Sequence, residues 1–176
     1  MQSVQQYNKI TIFLHWFMLL LIVGVYATME IKGFFPKGSE TRELLKHWHF
    51  MLGLAVLALV VLRLTARVIF SRPAITPTPN KTQELAAKVM QFTLYVFMLA
   101  MPIAGWLILS AYGKSIPFFG LELPALIEVN KELAHQIKEI HETVAVVGYV
   151  LIALHASAAL YHHYFMKDDT LKRMLP

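Results

Sequence analysis

The chain has 176 residues, 57% of them hydrophobic, with a formal net charge of +5 and no cysteine. So apolar a composition excludes an ordinary water-soluble domain. The missing thiols exclude structural disulfides, thiolate-held zinc, iron–sulfur clusters and covalent haem attachment. With no basic run and no nucleic-acid motif, the small positive charge points to membrane topology rather than to nucleic acid.

Residues 10–29 contain no Asp, Glu, Lys or Arg. A bilayer core takes about 20 apolar helical residues, so this run predicts a first transmembrane helix. It is longer than the apolar region of a secretory signal and no convincing small-residue cleavage site follows, so it reads as a retained helix. It also carries His15. The Gly- and Pro-rich stretch 29–39 predicts a turn. A second span is predicted over 48–70. The run Arg72-Pro-Ala-Ile-Thr-Pro-Thr-Pro79 cannot continue a helix and predicts a rigid connector. A third span is predicted over 82–111, with a kink near Leu99–Met101 ahead of Pro102. The link 112–138 is the longest, with a short interfacial helix expected over about 124–138. A fourth span is predicted over 139–165. The expected fold is all-α, a single four-helix transmembrane bundle over residues 1–176.

An even number of spans puts both termini on one side of the membrane. Nine Lys and Arg then fall on the terminal side and seven on the other. Positive residues favour the cytoplasm, so both termini are expected there.

Eight histidines are present. His141, Gly148, His155 and His162 form a heptad ladder, which keeps them near one helix face. Imidazoles in a membrane helix are costly unless something engages them. His155 lies 14 residues beyond His141, roughly 21 Å along the axis. That sets His155 level with His15 on the first helix and His141 level with His49 on the second. Two inter-helix pairs are predicted, one near each membrane face. This arrangement suits two haems, each iron taking an imidazole from either side. A metal-ion or proton pathway built from the same imidazoles is the rival reading. Zinc, however, prefers a tight set of three or four ligands, often with carboxylates, which are scarce here. Gly24, Gly53 and Gly148 are either porphyrin clearance or close helix packing. Arg63 returns to the face of His49 at the inner level, where it is either a haem-propionate partner or a snorkelling cation. His47 and His135 read as interfacial polar residues.

These residues also carry a resemblance. Leu14-His-Trp16, the stretch from Met29 to Pro36, His49 followed by Gly53, His141-Glu-Thr143, Gly148-Tyr149, Leu154-His-Ala156, His162-His-Tyr164 and the tail Lys167 to Pro176 resemble the bacterial cytochrome b561 family. The resemblance spans nearly the whole chain. It implies two non-covalently held b haems in the bacterial inner membrane, with His15, His49, His141 and His155 as iron ligands. It further implies oxidation of superoxide at the outer face and reduction of ubiquinone in the membrane. Lys32, Lys37, Arg42, Lys46 and Lys114 are then candidates for steering the anion. His162 and His163 are candidates for the quinone site, because an imidazole can couple electron and proton transfer. Similar proteins anchor hydrogenases or formate dehydrogenases, so a soluble redox partner is the alternative donor.

Overall fold

The computed structural model describes residues 5–176. Four long helices follow in order: α1 (Lys9–Lys32), α2 (Glu40–Ile69), α3 (Lys81–Ala111) and α4 (Lys131–Tyr161). All four are long and apolar enough to cross a membrane. A two-residue antiparallel pair, β1 (Pro117–Phe118) with β2 (Leu121–Glu122), folds the α3–α4 link back on itself.

The helix starts are set by side-chain caps. Asn8, Asn80 and Asn130 accept from Ile10 N, Gln83 N and Leu133 N. Asn80 and Gln83 form a reciprocal capping box. Each cap satisfies amide groups that a helix start leaves free. α2 begins at Glu40, eight residues ahead of the expected span, because Glu40 and Glu43 in its first turn complement the helix dipole. The expected interfacial helix over 124–138 is not a separate element. Residues 125–130 are not helical, and 131–138 are the opening two turns of α4. At its other end α4 gives way at His162 to a π-helical turn (His162–Met166), which ends at left-handed Lys167.

α1 packs along α2, α2 along α3, and α3 along α4. Met18 and Val60 are fully buried where α1, α2 and α3 meet, joined by Leu14, Val56, Leu59 and Met98. Lipid is as apolar as leucine, so this contact holds by close packing rather than by escape from water. Phe13, Leu20, Val68 and Phe92 stay exposed on the outer faces, where hydrocarbon would cover them. α4 meets α1 and α2 chiefly through long side chains. Tyr26 on α1 donates to the carbonyl of Ala145 on α4 at 2.7 Å, and its ring lies 4.3 Å from that of Tyr149. Tyr149 in turn donates to Glu30 at 2.7 Å.

The C-terminal tail ties α1 to the α2–α3 connector. Trp16 Nε1 on α1 donates to the Met174 carbonyl at 2.8 Å. Asp169 joins Thr76 of the α2–α3 connector through two hydrogen bonds. Arg173, nearly fully buried, donates to the Pro73 carbonyl and pairs with Asp169.

Candidate haem sites and the C-terminal knot

The helices bring the four predicted imidazoles together in two couples. The rings of His15 and His155 have centroids 6.2 Å apart, inclined at 66°. Those of His49 and His141 lie 6.3 Å apart, inclined at 81°. Neither separation allows a direct hydrogen bond. A metal–imidazole bond is about 2.0–2.1 Å, so two rings gripping one ion from opposite sides have centroids about 6.4 Å apart. Both couples have that spacing.

Tautomers are legible from the partners. His49 Nδ1 lies 3.1 Å from the Val25 carbonyl, which can only accept, so Nδ1 carries the hydrogen and Nε2 is left as a lone-pair donor. That is the arrangement of a metal-binding histidine with its second nitrogen anchored. His141 Nδ1 is buried near the Met101 carbonyl without a well-formed hydrogen bond. Such a group calls for an additional partner. His15 is the reverse of His49: Arg63 donates from Nη2 to its Nδ1 at 3.1 Å. Arg63 therefore addresses the imidazole itself.

A cavity of about 500 Å³ adjoins His49 and His141, walled by all four helices. Gly53 and Gly105 lie on its wall. A Cβ at Gly53 would meet nothing within 4 Å, and one at Gly105 only His141 Cε1 at 3.8 Å. Gly148 is different: a Cβ there would collide with the Tyr26 hydroxyl and the Phe97 ring. Of the two readings of Gly148, the structure realises close packing. Gly24 likewise faces Leu52 at 3.2 Å.

The cations expected at the outer face are not equivalent. Lys32, Lys46 and Lys114 line the cavity, and Lys138, absent from the expected set, joins them. Lys46 pairs with Glu43 at 2.5 Å, and Lys138 with Glu142 at 2.8 Å. Arg42 donates to the carbonyls of Lys32 and Phe35, so its guanidinium braces the α1–α2 turn rather than standing free. His47 is exposed, and exposed His135 lies 3.5 Å from Glu139. Among the described residues no three His, Asp or Glu side chains stand together as an ion cage requires.

At the opposite end, His162 Nδ1 lies 2.5 Å from Asp168 Oδ2, and Asp168 keeps only 5% of its side-chain surface. Asp168 Oδ1 accepts from Thr170 N at 2.9 Å. Burial works against the Asp168 charge, but hydrogen bonds from His162 and Thr170 outweigh it and hold the carboxyl below its usual range. His163 does not share this partner; its Nδ1 is buried without one. Sequence reading missed Asp168 and the Glu30–Tyr149 link. Glu30 and Tyr149 are 119 residues apart with no local pattern. Asp168 could have been suspected from a carboxylate a turn and a half beyond His162.

Residues 6–176 match the family described as prokaryotic cytochrome b561. The chain belongs to the prokaryotic cytochrome b561 family. It is 43% identical to cytochrome b561 homolog 1 of Escherichia coli K12 over 173 residues, covering 98% of each chain. It is 36% identical over 172 residues to a Yersinia pestis protein named probable superoxide oxidase CybB, covering 98% of this chain and 97% of the relative. Cytochrome b561 homolog 2 of E. coli K12 is 31% identical over 179 residues, with 97% and 92% covered. As a cytochrome b561, this multi-pass membrane protein is a haem-b-binding redox protein.

Proposed function

We propose that this cytochrome b561 holds two b haems, one between His49 and His141 and one between His15 and His155. In this reading it oxidises superoxide at the periplasmic face of the bacterial inner membrane and reduces ubiquinone near the cytoplasmic face, where both termini lie. The observation that carries the reading is the pair of imidazole couples with matching 6.2 and 6.3 Å separations at two levels of the bundle. The chain's likeness to a protein named probable superoxide oxidase supports the donor. Two superoxide ions each lose one electron and leave as O₂, while one quinone gains two electrons and two protons.

Held by an imidazole couple, a haem would supply one-electron transfer without binding O₂. The protein does the rest. The anchored Nδ1 of His49 presents Nε2 toward the cavity. Ligation by His15 through Nε2 requires its proton on Nδ1, which Arg63 then cannot address as a donor. The guanidinium is thereby released for an anionic group such as a propionate, so Arg63 keeps that role in the proposal. A reduced-minus-oxidised spectrum with haem quantitation tests the cofactor: two b haems per chain are expected. Stopped-flow mixing with superoxide should give reduction that turns over only with quinone. Colourless protein, or indifference to superoxide, would reject the reading.

Positive charge at the cavity mouth raises the local concentration of a small anion. Lys32→Glu with Lys114→Glu is expected to slow superoxide capture about 3- to 10-fold at low ionic strength and to flatten its salt dependence. An unchanged salt profile would remove steering from the account.

His162, at the π-helical turn that closes α4, is proposed with His163 as the quinone site. His162→Gln is expected to cut quinone reduction by about 10²-fold or more with haem content intact, the scale of a lost proton-transfer group. Undiminished turnover would exclude the residue from the site.

A further inference from the structure

Resting on the proposed quinone site, we infer that Asp168 is the positioning residue of that site. It fixes the tautomer of His162 so that Nε2 is the nitrogen offered to a quinone oxygen. The geometry is specific. Asp168 is buried at the far side of the π-helical turn, with Oδ1 engaged by Thr170 N and Oδ2 against His162 Nδ1. A carboxylate can only accept, so His162 Nδ1 carries hydrogen. The His162 side chain keeps 22% of its surface open, and Nε2 is the ring nitrogen left for a ligand. The same tail segment is locked to α1 through Trp16 and to the α2–α3 connector through Asp169 and Arg173. Asp168 thus sits in a tail anchored to α1 and to the α2–α3 connector, and its carboxylate holds the imidazole.

The carboxylate is compatible with a doubly protonated ring, in which Nε2–H is an acid. Reduction of the quinone takes two electrons, from two superoxide ions that leave as O₂, and two protons. The His162 Nε2–H bond breaks as an O–H bond forms on the reduced quinone, while Nδ1–H stays on Asp168. Water at the same face restores the Nε2 proton and supplies the second proton. Lys167 and Asp169 flank Asp168 in the chain, and Asp169 pairs with Arg173 of the tail.

Asp168→Asn separates positioning from folding. Its Oδ1 can still accept from Thr170 N, while its NH₂ replaces Oδ2 and forces Nδ1 to accept. The tautomer is inverted, and a neutral Nε2–H can still bind a quinone oxygen but is a poor acid. In full-length haem-loaded protein with ¹⁵N-labelled histidine, wild type should show Nδ1 protonated and Nε2 bare at alkaline pH. Asp168→Asn should show the reverse, with unchanged haem content. Its kcat for quinone reduction should fall about 10- to 100-fold with KM nearly constant, the scale of losing a histidine's hydrogen-bonded partner. A wild-type spectrum at alkaline pH with hydrogen on Nε2 and Nδ1 bare would overturn the inference without any variant. So would an Asp168→Asn variant with unchanged kcat while His162→Gln is crippled, and that outcome would leave the quinone site standing. Full turnover by His162→Gln would instead overturn the site and the inference with it.

Discussion

If each imidazole couple holds one haem, as proposed, His155→Ala is expected to halve the pigment, from two b haems per chain to one, and to abolish electron delivery to the His162 end of the bundle. His155 faces His15 across 6.2 Å, and the Arg63 guanidinium and Trp16 indole beside the His15 ring are donors that cannot ligate. Removing one imidazole therefore leaves a single ligand, with no second imidazole paired to it among the described residues. The His49–His141 couple sits 14 residues away along α4, roughly 21 Å, and its Val25 anchor and cavity do not involve His155. Haem quantitation should read one equivalent, with the remaining spectrum unchanged in band shape. His141→Ala should give the complementary loss, stripping the site next to the cavity and sparing the other. Retention of two equivalents in either variant would show that the couples are not the ligand sets.

The couples were legible in the sequence because a helix is a ruler. Seven-residue spacing fixes a face, and 14 residues fix a depth, so His141 and His155 could be matched to His49 and His15 before any contact was known. The four spans were legible for the same reason, since bilayer thickness imposes a length on apolar runs. Their ends were not. Glu40–Lys46 and Lys131–Lys138 are polar turns that extend α2 and α4 beyond the apolar window, and hydropathy is blind to helix outside hydrocarbon. The π-helical turn at His162 was likewise hidden, because it depends on the tail folding back to place Asp168 against the imidazole. Arg42 and Arg63 show a different limit. Sequence gave each a charge and a level, but the partners, backbone carbonyls for Arg42 and a ring nitrogen for Arg63, are chosen by tertiary contact.

Gly148→Leu is expected to unfold the bundle's fourth wall, and even Gly148→Ala should destabilise it. The obstacle is the Tyr26 hydroxyl together with the Phe97 ring, both packed onto the Gly148 backbone. Tyr26 cannot swing aside freely, since its hydroxyl is bonded to Ala145 and its ring lies on Tyr149. Overpacking costs about 1–3 kcal/mol, and losing the Tyr26 hydrogen bond adds about 0.5–1.5 kcal/mol. The gain in helix propensity from Gly to Ala is about 1 kcal/mol and does not offset them. Thermal unfolding in detergent should therefore show a lowered midpoint for Gly148→Ala and little folded protein for Gly148→Leu. Gly53 supplies the contrast. A Cβ there meets nothing within 4 Å, so Gly53→Ala should leave the polypeptide as stable as before or slightly more so. If Gly53 clears room for a macrocycle beside His49, a bulkier Gly53→Leu should lower occupancy of the proposed His49–His141 site while the proposed His15–His155 site stays full. Opposite responses at these two glycines, stability at one and haem content at the other, would separate packing from clearance on adjacent levels of one bundle.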